Sequence, residues 1–316
     1  MSSNNGYILV KDLPKGTLFA IDCSSWQTDV GFIGMKHVPI GFHVVSASVK
    51  DRYANAYGMK SIQYCWVHDN QVIQFHWIER EERLVKMDEN SSYPNLLQLD
   101  NRLAPYPSED FKQWLSLTHY ISKQILDRTI VNDTIILFDV PKRIINQTDT
   151  AADRTHSCLD LSLTLETTLQ FNDIALDELQ GYIQMSFILF TLRDSIEALQ
   201  HYWQLIRLLS RSLNVMKSNC EFYCRKLLPV LYFQLQNIDS VNELQCSDEA
   251  LDDEIGGWSK SVLVFLRDLC NNLDETLCQE NDKCRLDKFR QYLIDKYEVD
   301  FEYVVDDEQP VIVATI

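Results

Sequence analysis

LDELQGYIQMSFILFTLRDSIEALQHYWQLIRLLSRSLNVMKSNCEFYCRKLLPVLYFQL, residues 176–235, decides what kind of chain this is. Leu176, Leu179, Ile183, Phe187 and Phe190 recur at helical spacing and share one face. After the polar break Arg193-Asp-Ser195 the same beat resumes with Ile196, Leu199, Trp203, Ile206 and Leu209. Two such stripes across a short break predict two antiparallel amphipathic helices, the second capped by the break. A third helix is expected over Phe222 to Leu235, kinked by Pro229. No helix with one apolar stripe buries it alone, so the stretch predicts a bundle core. It names no chemistry.

Working outward, the first third of the chain changes period. Tyr7 to Val10, Leu18 to Ile21 and Phe42 to Ser46 are short apolar runs divided by Pro-Gly breaks. Between Ser61 and Ile78, Ile62, Tyr64 and Trp66 alternate with other residues, Asp69-Asn70 supplies a turn, and Ile73, Phe75 and Trp77 alternate back. That pattern predicts a β-hairpin with its aromatics on one face, inside a sandwich-like β domain. Pro105 to Ser108 halts the strands, and a helix capped by Ser108 is expected to bury Phe111, Trp114, Leu115, Thr118, Ile121 and Ile125. Thr134 to Val140 reads as a returning strand, and Pro141 to Thr155 as a polar linker.

Ser157 to Gln170 fits either period; helix is the reading adopted, because helices follow and Ser157-x-x-Asp160 resembles a capping box with Asp in place of Glu. Further helices are expected over Ser259 to Leu273 and Asn281 to Tyr297, with a solvated acidic loop at Asp248 to Glu254. The fold class is therefore α+β: a β-rich domain with one helix over residues 1–140, a linker over 141–156, a helical domain over 157–298, and an acidic tail over 299–316 ending in a short strand. In that tail Pro310, Val311, Ile312 and Val313 form a β-branched end suited to adding onto a partner's sheet edge. Ser157, at the junction of linker and helix, is the expected site of a regulatory phosphorylation that reorients the two domains.

Charge and composition exclude several functions. The formal net charge is −17, from 46 acidic against 29 basic residues, which opposes direct nucleic-acid binding. Nine cysteines lie without framework spacing, as free thiols in a reducing compartment do. The most apolar run, Ile183 to Leu192, is too short to span a bilayer, so no membrane role is expected. The chain has nine glycines and neither a phosphate-binding loop nor a dinucleotide fingerprint, so no cofactor is expected. His37 and His43, or His68 and His76, lack a third ligand type nearby, so no metal is expected. The one catalytic alternative is a hydrolase built on Asp22 in Asp22-Cys-Ser-Ser25, against the plainer reading of a strand-end carboxylate that binds amides. A helical adaptor for peptide motifs is a third reading.

Several stretches together resemble one family. Gly16-Thr-Leu-Phe-Ala-Ile-Asp-Cys-Ser-Ser-Trp26, Phe32-Ile-Gly-Met-Lys36 and Val38-Pro-Ile-Gly-Phe-His43 resemble the N-terminal signature of the Aar-two (cistron-splicing factor) family. Leu103-Ala-Pro-Tyr-Pro107, Lys112 to Thr118, His156-Ser-Cys-Leu-Asp-Leu161, Glu178-Leu-Gln180, Glu197 to Trp203 and Pro310-Val-Ile-Val313 follow in the family's order. The resemblance implies a β-rich domain joined to a helical domain of VHS-like type, and an assembly factor rather than an enzyme. It implies binding to the spliceosomal scaffold protein of Prp-eight type, through its RNase H-like and Jab/MPN-like domains, in a cytoplasmic precursor of the U-five ribonucleoprotein. The nucleus is a second expected location.

Overall fold

The computed structural model describes residues 5–50, 56–88, 102–144, 150, 159–238, 262–276 and 279–301. The chain divides into two compact units, Met1–Ile136 and Leu137–Ile316. The first is sheet-rich and the second helical, so the fold class is α+β as its two sequence periods require. Among the described residues no helix is long and apolar enough to cross a membrane.

The first unit carries β1 (Gly6–Lys11), β2 (Leu18–Ile21), β3 (Ser24–Gln27), β4 (Gly34–Val38), β5 (Gly41–Ser48), β6 (Ser61–Val67), β7 (Val72–Ile78), β8 (Arg83–Lys86) and β9 (Ala104–Pro105). One sheet has the order β8-β7-β1-β4-β9 and the other β3-β2-β5-β6. Ile8, Val10, Met35, Phe75 and Trp77 from the first sheet share one core with Phe19, Ile21, Val45, Cys65 and Val67 from the second.

The expected hairpin over Ser61 to Ile78 is wrong in its pairing. Both strands form, but β6 pairs with β5 and β7 pairs in parallel with β1, in the other sheet. The turn therefore carries the chain from one sheet to the other. Gln63, Cys65 and Val67 face the core, while Tyr64 and Trp66 stay half-buried outside it. Gln63 helps fasten the two layers, its Nε2 donating to the Leu84 carbonyl at 3.0 Å. Gly34 fixes the β1–β4 pairing. Its φ is +135°, and a Cβ there would lie 2.0 Å from the Ile8 carbonyl oxygen.

One helix after Ser108 was expected; two form. α1 (Phe111–Thr118) stops near His119, and α2 (Lys123–Thr129) starts afresh with Ser122 as its N-cap, accepting from the Ile125 amide at 3.2 Å. The break leaves Leu115 exposed while Trp114 remains buried. The returning strand is shorter than expected: β10 (Ile130–Val131) and β11 (Thr134–Ile135) pair, and the chain then leaves the sheet unit.

Residues 137–144, assigned by sequence to a strand end and a linker, belong to the helical unit. Phe138 packs edge-on against Tyr182 and His201, and Val140 is buried. Arg207 donates to the Lys142 carbonyl at 2.7 Å, and Thr164 Oγ1 accepts from the Ile144 amide at 3.1 Å. Polar composition concealed this docking, because the backbone makes the bonds.

The helical unit runs α3 (Ser162–Asn172), a 3-10 turn (Leu176–Glu178), α4 (Leu179–Arg193), α5 (Ile196–Ser210), α6 (Leu213–Ser218), a π-helical turn (Phe222–Leu227), α7 (Leu228–Gln236), α8 (Leu263–Thr276) and α9 (Glu280–Tyr297). α4 is buried on every side from Leu179 to Leu189, so it is the central helix rather than a one-striped one. α5 keeps the expected stripe except at its first residue, Ile196, which is exposed. Pro229 does not kink a single helix. It lies in the first turn of α7, where a missing N–H does least harm, and the wider π turn absorbs the irregularity before it. Burial of Trp203, Phe187 and Tyr202 gives the unit its largest apolar contribution, roughly 2–3 kcal/mol for each large side chain.

Candidate functional site

Asp22 is the residue on which a catalytic reading rested, and it sits at the end of β2 with a left-handed φ of 53°. Its backbone N–H donates to the Val44 carbonyl at 2.9 Å, and its Oδ1 accepts from the Val44 N–H at 3.0 Å. Its Oδ2 receives two further groups, His43 Nδ1 at 2.6 Å and the Tyr106 hydroxyl at 2.7 Å. His43 Nε2 faces the Pro39 carbonyl oxygen at 2.8 Å. The Asp22 and His43 side chains are almost wholly shielded from water, 2% and 1% exposed. Both oxygens of the carboxylate are engaged, and the neighbouring Cys23 thiol is held protonated, its pKa pushed up to about 12 by burial and then by Asp22. Cys65 nearby is held as a thiol, its pKa pushed up to about 12 by burial and then by Asp22. Burial likewise pushes the Tyr106 hydroxyl far above its ordinary value, reinforced by Asp22.

The cluster therefore ties strands together. Asp22 comes from β2, His43 from β5, Pro39 from the turn before β5 and Tyr106 from just after β9. Ser24, one strand further on, donates to the Asp110 carboxylate at the head of α1, and Trp114 Nε1 donates to the Phe42 carbonyl at 2.8 Å. A buried carboxylate with its hydrogen bonds made is what such a site needs to avoid a net desolvation loss.

The helical unit has a counterpart. Asp160 Oδ1 accepts from the amides of Ser162 and Leu213, both at 2.9 Å, and its Oδ2 accepts from Asn214 Nδ2. Ser162 Oγ accepts from the amides of Asn214 and Val215 at 2.9 and 3.2 Å. These three amides are the orphan donors of the first turn of α6. Asp160 and Ser162 thus cap a helix some fifty residues away in sequence, favourably placed at its positive end. The capping-box reading of Ser157-x-x-Asp160 is corrected on this point: α3 starts at Ser162 with no side-chain cap, and Asp160 serves α6. His201 lies deep in the same unit, its Nδ1 2.8 Å from Ser186 Oγ.

Ser157 and the tail residues Pro310, Val311, Ile312 and Val313 lie outside the described residues, as does the acidic stretch Asp248 to Glu254. His37 is exposed while His43 is buried, and His76 pairs instead with Asp12 at 3.0 Å. No group of three or more His, Cys, Asp or Glu placed to hold a metal ion occurs among the described residues. Tyr106 and Pro39 were not singled out as partners of Asp22 by chemical reading. The available signal was that each lay in a stretch of the family resemblance.

The chain is thus an α+β protein of two units, one sheet-rich and one helical. Residues 4–131 match the AAR2 N-terminal domain and residues 137–302 the AAR2 C-terminal repeat region, and the chain belongs to the AAR2 family. The human Protein AAR2 homolog is 27% identical over 370 aligned positions, covering 97% of this chain and 92% of that protein. The mouse Protein AAR2 homolog is 26% identical over 369 positions with the same coverage. The Caenorhabditis elegans Protein AAR2 homolog is 28% identical over 134 positions, 40% of this chain and 36% of that protein. Family membership supports a role in splicing.

Proposed function

We propose that this chain is a non-catalytic assembly factor of the pre-mRNA splicing machinery. It acts as a chaperone for the spliceosomal scaffold protein of Prp-eight type during biogenesis of the U-five ribonucleoprotein, in the cytoplasm. It holds the scaffold's RNase H-like and Jab/MPN-like domains and blocks premature binding of RNA or other factors. The observation that carries this reading is family membership across both units, in order and over nearly the whole chain. A net charge of −17 supports it physically, because an acidic surface competes for basic patches made to receive RNA.

In this reading Pro310, Val311, Ile312 and Val313 add as a strand to an edge of the scaffold, and phosphorylation of Ser157 releases it. Calorimetric titration of the two scaffold domains with the full chain tests the core of the proposal. Submicromolar binding, displaced by neither salt at physiological strength nor short RNA, is expected; no binding of either domain overturns it. Replacement of Val311 and Val313 by Ser is expected to weaken binding at least tenfold, and Ser157→Glu to weaken it while Ser157→Ala does not. In a gel-shift titration at physiological salt, submicromolar binding of bare RNA by the chain itself would contradict the shielding role.

A further inference from the structure

In the helical unit, the strand of chain formed by the π turn and α7 is fastened to α9 at both ends. At one end the Arg225 guanidinium meets Asp282 at 3.5 Å. At the other, Lys296 Nζ donates to the carbonyls of Leu235 and Ile238 at 2.7 and 2.9 Å, and the Tyr297 hydroxyl donates to Leu235 at 2.7 Å. Between these fastenings a groove of about 600 Å³ opens to solvent. Leu228 and Phe289, both buried, lie at its floor, and Tyr232, Phe233 and Tyr292 line it higher up. Phe233 is 39% exposed, an unusual cost for a Phe at the end of a well-packed helix.

The groove also has a sign. Arg285 and Lys288, one turn apart on α9, line it and are exposed. Neither makes a hydrogen bond or ion pair among the described residues. The cations around them are engaged: Arg225 with Glu221 and Asp282, Lys226 with Asp177, Arg290 with Asp274 and Lys296 with two carbonyls. In a chain with 46 acidic residues and 29 basic ones, the charged lining of this aromatic groove, Arg285 and Lys288 against Asp295, is net positive.

We propose that this groove is a docking site for a short amphipathic helix of a partner protein, with aliphatic or aromatic side chains on its inner stripe and Asp or Glu on its flank. The volume suits a few anchoring side chains rather than a domain. Tyr, Phe and Arg are the residue types that concentrate binding energy at such surfaces. Two carboxylates placed one turn apart on the partner match Arg285 and Lys288, and at physiological salt such pairs act over about 8 Å, too short a range for the distant acidic surface to cancel them. A nucleic-acid strand fits less well. It brings a charge at every phosphate, and α9 presents Asp287 and Asp295 on or beside the same path, Asp295 being held at 2.7 Å by Gln291. The site does not depend on which splicing component the chain serves.

A display library of random twelve-residue peptides selected on the full-length protein tests this. Sequences rich in Leu, Ile or Phe at helical spacing with Asp or Glu are expected, and the selected peptides, measured by fluorescence anisotropy, should bind at least tenfold more weakly to Arg285→Glu/Lys288→Glu. Both positions are exposed, so an unchanged circular-dichroism melt of that variant is expected and confirms folding. Loss on Phe233→Ser, with weakening of the wild-type complex in 500 mM salt, would locate the site in the groove. Enrichment of basic or uncharged peptides, or equal binding to the charge-reversed protein, overturns the proposal. So do two other occupants. If peptides bind only after Val311, Ile312 and Val313 are replaced by Ser, the chain's own end fills the groove. If sedimentation shows a dimer that the charge reversal dissociates, a second copy does.

Discussion

In each unit a buried carboxylate, Asp22 or Asp160, gathers hydrogen bonds from distant segments, but the two do so with different chemistry. Asp22 in the sheet unit faces a histidine, a phenol and an amide drawn from segments 21, 84 and 22 residues away. Asp160 in the helical unit meets only neutral donors: the amide and hydroxyl of Ser162, the amide of Leu213 and the side-chain amide of Asn214. The difference follows from the architectures. Strands satisfy most of their backbone through neighbours, so the sheet unit offers its acid one strand amide, that of Val44, and brings side chains for the rest. A bundle of short helices has many orphan N–H groups, and a carboxylate placed at one of these ends does the work of a cap. The sheet acid is therefore the more exposed to loss: without it, a buried imidazole and a buried hydroxyl face each other with no acceptor.

That contrast sets the largest expected effect. Asp22→Ala should destabilise the protein by about 3–5 kcal/mol, because the buried groups of His43, Tyr106 and Val44 lose their acceptor at roughly 1–3 kcal/mol each. Denaturant unfolding gives the magnitude, and hydrogen exchange should show the loss at the amides of β2 and β5. Asp22→Asn should be milder, since an amide oxygen still accepts from Val44. A stable, well-folded Asp22→Ala protein that had lost a chemical activity would restore the catalytic reading and end the structural one.

Asp160→Ala should cost less, about 2–3 kcal/mol, combining a lost cap with donors left without an acceptor. Ser162 Oγ still holds the amides of Asn214 and Val215, so α6 should fray at Leu213 rather than unwind. An effect as large as that of Asp22→Ala would erase the distinction between the two devices.

The same contrast governs what could be read in the sequence. The helices between Leu176 and Leu235 were legible, because a helix forms largely from contacts within its own stretch and its apolar positions show which face is inward. Even there, the full burial of α4 was hidden: Gln180, Gln184 and Ser186 look like an outer face until other helices cover them. The strands were legible singly, and their partners were not. Nothing between Val67 and Val72 tells a hairpin from a turn joining two sheets, since both need the same two alternating runs. β3, β4, β8, β9 and β10 were missed because strands of two to five residues carry little alternation. Of the candidate residues, Asp22 and Asp160 stood out by type, but their partners lie far off in sequence and only the fold brings them together. The groove of α7 and α9 left no mark at all, because Tyr232, Phe233 and Tyr292 fit a core stripe as readily as a binding surface.

Two buried histidines extend the comparison and give the smallest of these effects. His43 meets a carboxylate and a carbonyl, one acceptor for each ring nitrogen. His201 meets the Ser186 hydroxyl at one nitrogen, and the other finds no hydrogen-bond partner of good geometry among the described residues. Loss of hydration accordingly lowers the His201 pKa to about 4, with the Phe138 backbone opposing the shift only in part. In the unfolded chain the same ring titrates near its ordinary value of about 6.5. Below that pH the unfolded state takes up a proton that the folded state refuses, so stability is complete above about pH 6.5 and falls as the pH drops towards 4. The slope is at most about 1.4 kcal/mol per pH unit, so roughly 2 kcal/mol should be lost between pH 6.5 and pH 5 on account of this one ring. His201→Gln removes the titration while keeping a group that can bond to Ser186. Unfolding free energies of the two proteins, measured at both pH values, should therefore converge as the pH falls, the variant losing about 2 kcal/mol less than wild type. Parallel losses in the two proteins would show that His201 takes no part in the pH dependence.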